Sequence, residues 1–237
     1  MLRFLFTVFG FSIPFEVDVM HYIVLPLALV GIVAGSTVAI FQSDLKRLLA
    51  YSSISQVGYM LVGVTMLTHG GLMATIIHLF NHAVSKAALF MVAGAYVLRS
   101  GSSTIRDLRG VGRDMPFTTA AFVVGGLSLV GVPLTVGFVS KWYLVQAALE
   151  HGWWPVALLV VASSLLAFAY VWRFIEVAYM YPVPEGVTRK EAPLTMLVPL
   201  WIFAGMSLFF GVNASLTSEA ASRAASGLIA ASSLIWQ

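Results

Sequence analysis

The stretch Phe117–Leu149, FTTAAFVVGGLSLVGVPLTVGFVSKWYLVQAAL, decides how this chain folds. It is apolar almost throughout, yet as one straight helix it would measure about 50 Å, against a hydrocarbon core about 30 Å thick. Near its middle lies Gly131-Val132-Pro133-Leu134-Thr135-Val136-Gly137, which holds the residue types that break helices. The spacing predicts a discontinuous membrane helix over 117–149 whose halves meet near the bilayer centre. Free backbone groups at that depth are tolerated only where protein packs on them or a polar cavity receives them. The break therefore marks a candidate site, with a simple proline kink as the competing reading of the break alone.

Outward from this segment the chain stays apolar. Of its 237 residues 59% are hydrophobic and 10% charged, and the mean hydropathy is +0.93. A soluble domain carries about 25% charged residues, so a soluble class is excluded. Five further stretches, Tyr22–Phe41, Leu49–Leu67, Leu72–Leu98, Trp153–Tyr181 and Leu194–Gly211, are long enough to cross a bilayer. The expected fold is an all-α membrane protein of about six spans. Residues 1–21 read as the end of a preceding helix or an interfacial segment. A signal peptide does not fit, because Pro14, Glu16 and Asp18 follow the apolar run and no small-residue cleavage site does. Residues 212–237, rich in Ala and Ser, read as an amphipathic tail at the interface.

The charges fall asymmetrically. Lys46, Arg47, Arg99, Arg106, Arg109, Arg113, Arg189 and Lys190 lie in the loops of one side, and only Arg3 and Arg223 on the other. By the positive-inside rule the first side is cytoplasmic, which places both termini on the non-cytoplasmic side of the cell membrane. A net charge of +3 held in such loops records orientation rather than a nucleic-acid partner. With no cysteine the chain cannot ligate an iron–sulfur cluster, and it has no dinucleotide or phosphate loop, no Ser-His-Asp set and no poised carboxylate pair. No cofactor and no catalytic chemistry are expected of this chain itself.

The strongest functional signal is on the third stretch, where His78, His82 and Lys86 follow at i, i+4 and i+8. At about 100° per residue they share an arc of about 80°, and Asn81 and Ser85 lie beside it. A lysine at that depth costs at least about 2.5–3.5 kcal/mol unless it meets water or a partner. Imidazoles and a buried amine can both trade protons near neutrality, so the stripe suits a proton relay. The competing readings are backbone-capping histidines or a metal site, and the latter lacks a third ligand on this face. Lys141, one turn past the break, could meet the freed carbonyls, or could snorkel to an interface. Arg173 and Glu176, three apart, are positioned to pair as a structural anchor. Asp44, Lys46 and Arg47 read as solvated loop charges. The run Tyr51-Ser-Ser-Ile-Ser-Gln56 fits either helix packing or water binding.

Three blocks in order, Asp44–Tyr59 (DLKRLLAYSSISQVGY), His78–Phe90 (HLFNHAVSKAALF) and Gly131–Lys141 (GVPLTVGFVSK), resemble the antiporter-like membrane subunits shared by respiratory complex I and Mrp-type Na+/H+ antiporters. The run on through Trp142-Tyr143-Leu144-Val145 looks most like the Mrp D-type subunit. The resemblance implies that His78, His82 and Lys86 belong to a central hydrophilic axis, and that Lys141 is the terminal protonatable residue on the broken helix carrying Gly131, Pro133 and Gly137. It also implies two inverted five-helix repeats, of which this chain matches only the second: 22–181 as the ion-translocating repeat and 194–211 as one further helix. The family's glutamate–lysine pair and first broken helix have no counterpart here. A separate polypeptide then supplies the first repeat, or the chain is a truncated product. The implied partners are the other membrane subunits of a multisubunit complex and the bilayer. The implied ions are H+ and, as a second candidate, Na+. A redox-driven quinone-reductase complex is the alternative to an antiporter, and a structural scaffold is the alternative of another class.

Overall fold

The computed structural model describes residues 18–186 and 188–235. A π-helical turn, Met20–Val24, leads into α1 (Leu25–Ile40), followed by α2 (Leu45–Thr65) and α3 (His69–Ser100). Short turns of helix at Ile105–Leu108 and Val111–Asp114 precede α4 (Pro116–Val130) and α5 (Val136–Glu150). Then come α6 (Trp154–Tyr179), α7 (Leu194–Val212) and α8 (Ala214–Ile235). Helices α1 with its leading turn, α2, α3, α6 and α7 are long and apolar enough to cross a membrane. The predicted discontinuous helix is the pair α4 and α5. Of the segment expected to end an earlier helix, residues 1–17 lie outside the described residues, and 18–21 run into α1.

Local chemistry sets the boundaries. Asp44 caps α2 by accepting from Arg47 N at 3.0 Å, Thr68 caps α3 through Gly71 N at 3.1 Å, and Thr135 caps α5 through Phe138 N at 3.4 Å. Pro26, Pro116 and Pro155 stand in the first turns of α1, α4 and α6, where a missing N–H costs nothing. Gly101, at φ 70°, ends α3.

The loop charges are less free than expected. Lys46 and Arg47 lie within the first turn of α2, because the Asp44 cap starts that helix a turn before the apolar run does. The Asp44 carboxylate also accepts from Ser103 Oγ, tying the start of α2 to the loop after α3. Arg189 is buried, not solvated: it reaches Asp114 Oδ2 at 3.0 Å and the carbonyls of Arg109 and Asp107 at 3.2 and 2.6 Å. The expected Arg173–Glu176 pair does not form. The Arg173 guanidinium instead donates to the carbonyls of Ile40 and, at 2.9 Å, Gln42, which the end of α1 and the turn after it present without helical donors. Arg173 is thus an anchor, by a different partner.

The apolar core is divided. One cluster, holding Leu45, Leu49, Leu89, Tyr96, Phe122, Leu129, Val171 and Phe174, fills one end of the bundle. A second, holding Ile32, Tyr59, Val62, Leu144 and Val160, fills the other. Between them three helices change character at one level: α2 at Ser52–Gln56, α3 at His78–Lys86 and α6 at Ser163 and Ser164. The gap between α4 and α5 falls at that same level. The tail helix α8 docks beside the first turns of α3, burying Ala225 with Leu72 and Ala221 with Ile77 and Val139.

Candidate functional site

The α4–α5 break is built by backbone chemistry. Helix α4 ends with carbonyls that no intrahelical N–H reaches. Gly131, at φ 89°, turns the chain so that its N–H meets Leu127 O and Ser128 O at 3.0 and 3.1 Å, and Val132 N meets Leu127 O at 3.0 Å. The next expected donor stands at position 133, a proline with no N–H, and Leu134 at φ 73° carries the chain away. Leu129 O and Val130 O are left over. Gly137 lets α5 come back against α4, for a Cβ there would collide with the Ser128 carbonyl.

Lys141 lies where those two carbonyls converge. Its Nζ donates to Leu129 O at 3.1 Å, Val130 O at 2.9 Å and Ser164 Oγ at 2.9 Å, and sits 4.9 Å from the centre of the Tyr59 ring. It is buried and does not snorkel. The Tyr59 hydroxyl binds Ser163 Oγ at 2.6 Å, and Ser163 in turn donates to Val160 O, so Tyr59 is the donor of that pair. The Tyr59 ring also meets His78 edge-on at 5.4 Å. Tyr59 thereby touches both Lys141 and His78.

His78 is buried, with Nδ1 3.0 Å from Ser140 Oγ. Because Ser140 gives its own proton to Gly137 O at 3.0 Å, it accepts from His78 Nδ1–H. This tautomer leaves His78 Nε2 as a bare acceptor. Asn81 Nδ2 approaches the same Ser140 oxygen at 3.4 Å, and Asn81 Oδ1, Ser85 Oγ and Ser128 Oγ close a ring of contacts at 2.9–3.1 Å. The α3 stripe is thus hydrogen-bonded to both sides of the break, through Ser128 on α4 and Ser140 on α5.

Lys86 turns to the opposite neighbour. Its Nζ donates to Leu49 O at 2.7 Å and to Ser52 Oγ, both on α2. Ser52, Gln56 and Tyr59 succeed one another along one face of α2, so that helix spans the interval between the two lysines. Gln56 is fully buried, and neither atom of its amide has a protein partner among the described residues; the same holds for Nε2 of His78 and of His82. Buried polar atoms of this kind are normally satisfied by internal water. Neither ammonium is ion-paired with a carboxylate among the described residues, and those residues hold no group of three or more metal-binding side chains.

The structure brings His78 and Lys141 together around Tyr59, and Gly131, Pro133 and Gly137 into the break. Lys86 lies apart from them, at the far end of the α2 face. Sequence reasoning passed over Tyr59, Ser128, Ser140, Ser163 and Ser164. The available signal was Tyr59 closing the first block, one helical turn beyond Gln56; the serines carried none.

The chain is 41% identical over 189 residues to the NADH-quinone oxidoreductase subunit N of Desulforudis audaxviator, a match covering 74% of this chain and 38% of that protein. Among solved structures, a chain of the Mrp complex from Dietzia sp. superposes with a TM-score of 0.81 at 24% identity, covering 88% of this chain and 47% of the other. A chain of respiratory complex I from Thermus thermophilus gives 0.80 at 23% identity, covering 93% and 46%. The two structural likenesses show the fold, and in each match this chain spans less than half the length of its relative. Residues 3–167 match the family model described as NADH:quinone oxidoreductase/Mrp antiporter, transmembrane. Five apolar helices, a break holding a buried lysine and this match make the chain a membrane protein that belongs to the NADH:quinone oxidoreductase/Mrp antiporter family.

Proposed function

We propose that this chain carries protons across a cell membrane as one repeat of an antiporter-like subunit, within an assembly whose other chains complete the path. The observation that carries this reading is the buried polar layer: two lysines without carboxylate partners, hydroxyls and Asn81 bonded among His78 and the two sides of the break, and Gln56 and the Nε2 atoms of His78 and His82 left without protein partners among the described residues. A packed scaffold has no use for such groups, which cost several kcal/mol each to bury. Protons pass along the α3 stripe of His78, His82 and Lys86, and Lys141 is the terminal group at the break.

Two assemblies are supported. An Mrp-type monovalent cation/proton antiporter is favoured by the resemblance of the sequence from Lys141 to Val145 to the Mrp D-type subunit. A complex I-like quinone-linked pump is favoured at least as much, by 41% identity to an NADH-quinone oxidoreductase subunit N. Flavin or iron–sulfur absorbance in the purified native assembly marks the second, and its absence the first.

In the assembled complex, Lys86→Ala and Lys141→Ala are each expected to abolish coupled proton flux in proteoliposomes. Flux equal to the unmodified complex in both variants defeats the reading.

A further inference from the structure

The seat of the Lys141 ammonium has the chemistry of an ion site in its own right. Leu129 O and Val130 O are left without backbone donors, because position 133 is a proline and Leu134 turns out of the helix. Both lie at the C-terminal end of α4, where the helix dipole concentrates partial negative charge. A third oxygen, Ser164 Oγ, comes from α6, and the face of Tyr59 closes the site. A Cβ at position 131 would stand 2.9 Å from Lys141 Cδ, so Gly131 makes room for the stem that threads the ammonium in. No carboxylate pairs with that ammonium among the described residues. Neutral oxygens at the end of a broken helix suit a singly charged ion. Divalent cations bind through carboxylates or with most of their water retained.

We infer that Leu129 O, Val130 O and Ser164 Oγ form a binding site for a monovalent alkali cation of the sodium class, and that the Lys141 ammonium is a tethered occupant which such an ion must displace. The inference deepens the proton-carrying reading, and rests on it, by naming the competing ion at the same site. Lysine serves here because its ammonium is a compact point charge. One amine and one ion cannot share the cage.

The test uses the assembled complex and thallium(I), a monovalent cation visible by its scattering. With Lys141→Ala, and with Lys141→Ser as a second variant should the first fail to assemble, thallium density is expected within bonding distance of Leu129 O and Val130 O. At the same concentration the unmodified complex should show none there. Excess sodium should displace it, and adding Ser164→Ala should weaken binding about tenfold or more, as loss of one partner to a charged group implies. Absence of density in both Lys141 variants, or binding indifferent to Ser164→Ala, overturns the inference. Proton flux lost in Lys86→Ala while no thallium binds would sink this site and leave the proton reading standing.

Discussion

Ser140 holds three polar groups at once: it accepts from His78 Nδ1 and Asn81 Nδ2 and donates to Gly137 O. Ser140→Ala strips all three within the buried layer, and a buried polar group left unpaired costs about 1–3 kcal/mol. The expected outcome is a fall in stability of that order, read by thermal unfolding of the assembled complex, together with reduced proton flux, because nothing then fixes the His78 tautomer. Unchanged stability would mean that the His78–Ser140 bond contributes nothing. The His–Lys stripe was legible beforehand because ionisable groups stand out in an apolar run. Ser140, Ser163 and Ser164 were not, since serine in a membrane helix ordinarily satisfies itself on a preceding carbonyl. Ser163 and Ser164 do donate to Val160 O, and act in the site through the lone pairs that remain. Arg173 was misread for a related reason: spacing along one helix reveals a neighbour such as Glu176, but not the carbonyls of Ile40 and Gln42 presented by another chain segment.

Elements carry the break and its limits. That 117–149 would be discontinuous followed from length against bilayer thickness, and Gly131 and Pro133 located the interruption. The return of α5 onto α4 could not be read, because it depends on Gly137 sitting against the Ser128 carbonyl. Gly137→Ala forces those backbones apart, an overpacking worth about 1–3 kcal/mol, and should cut flux by shifting Ser140 and Lys141. Gly205→Ala in α7, where a Cβ meets nothing within 4 Å, should leave both stability and flux unchanged and serves as the control. If both variants behave alike, close approach is not what makes position 137 a glycine. At the start of α2, partial burial acts to raise the Asp44 carboxyl, but the hydrogen bonds from Ser103 and from the Arg47 and Lys46 backbone prevail and hold it below the usual carboxylate range. A depressed folded value means that Asp44 stabilises above the ordinary carboxylate range and that this contribution fades as pH falls through the lowered value. Asp44→Ala should cost about 1 kcal/mol at neutral pH and remove that part of the acid sensitivity. Amide exchange at the first turn of α2 would report both, and equal acid sensitivity in variant and parent would remove the cap from the account.

By the positive-inside rule, the loop charges decide which end of the bundle faces the cytoplasm. Arg189 is one of the cations on the arginine-rich side, yet it is locked to Asp114 and to two loop carbonyls. It is thus part of the clasp that ties the loop before α4 to the approach to α7, and less a free charge for orientation. On the opposite side, Arg223 pairs loosely with Glu219 at 3.8 Å, both of them exposed, a contact worth little. The asymmetry survives the correction, since among the described residues Lys46, Arg47, Arg99, Arg106, Arg109, Arg113 and Lys190 remain on one side against Arg223. The chain's lack of cysteine makes the test clean, because any introduced thiol is the only one in it. Glu150, exposed at the end of α5, and Glu185, exposed between α6 and α7, mark the two faces. In intact cells a membrane-impermeant maleimide should label Glu150→Cys and spare Glu185→Cys until the membrane is opened. The reverse pattern would place the arginine-bearing face outside, invert the direction in which Lys86 and Lys141 are met by a proton, and leave the geometry of the buried layer untouched.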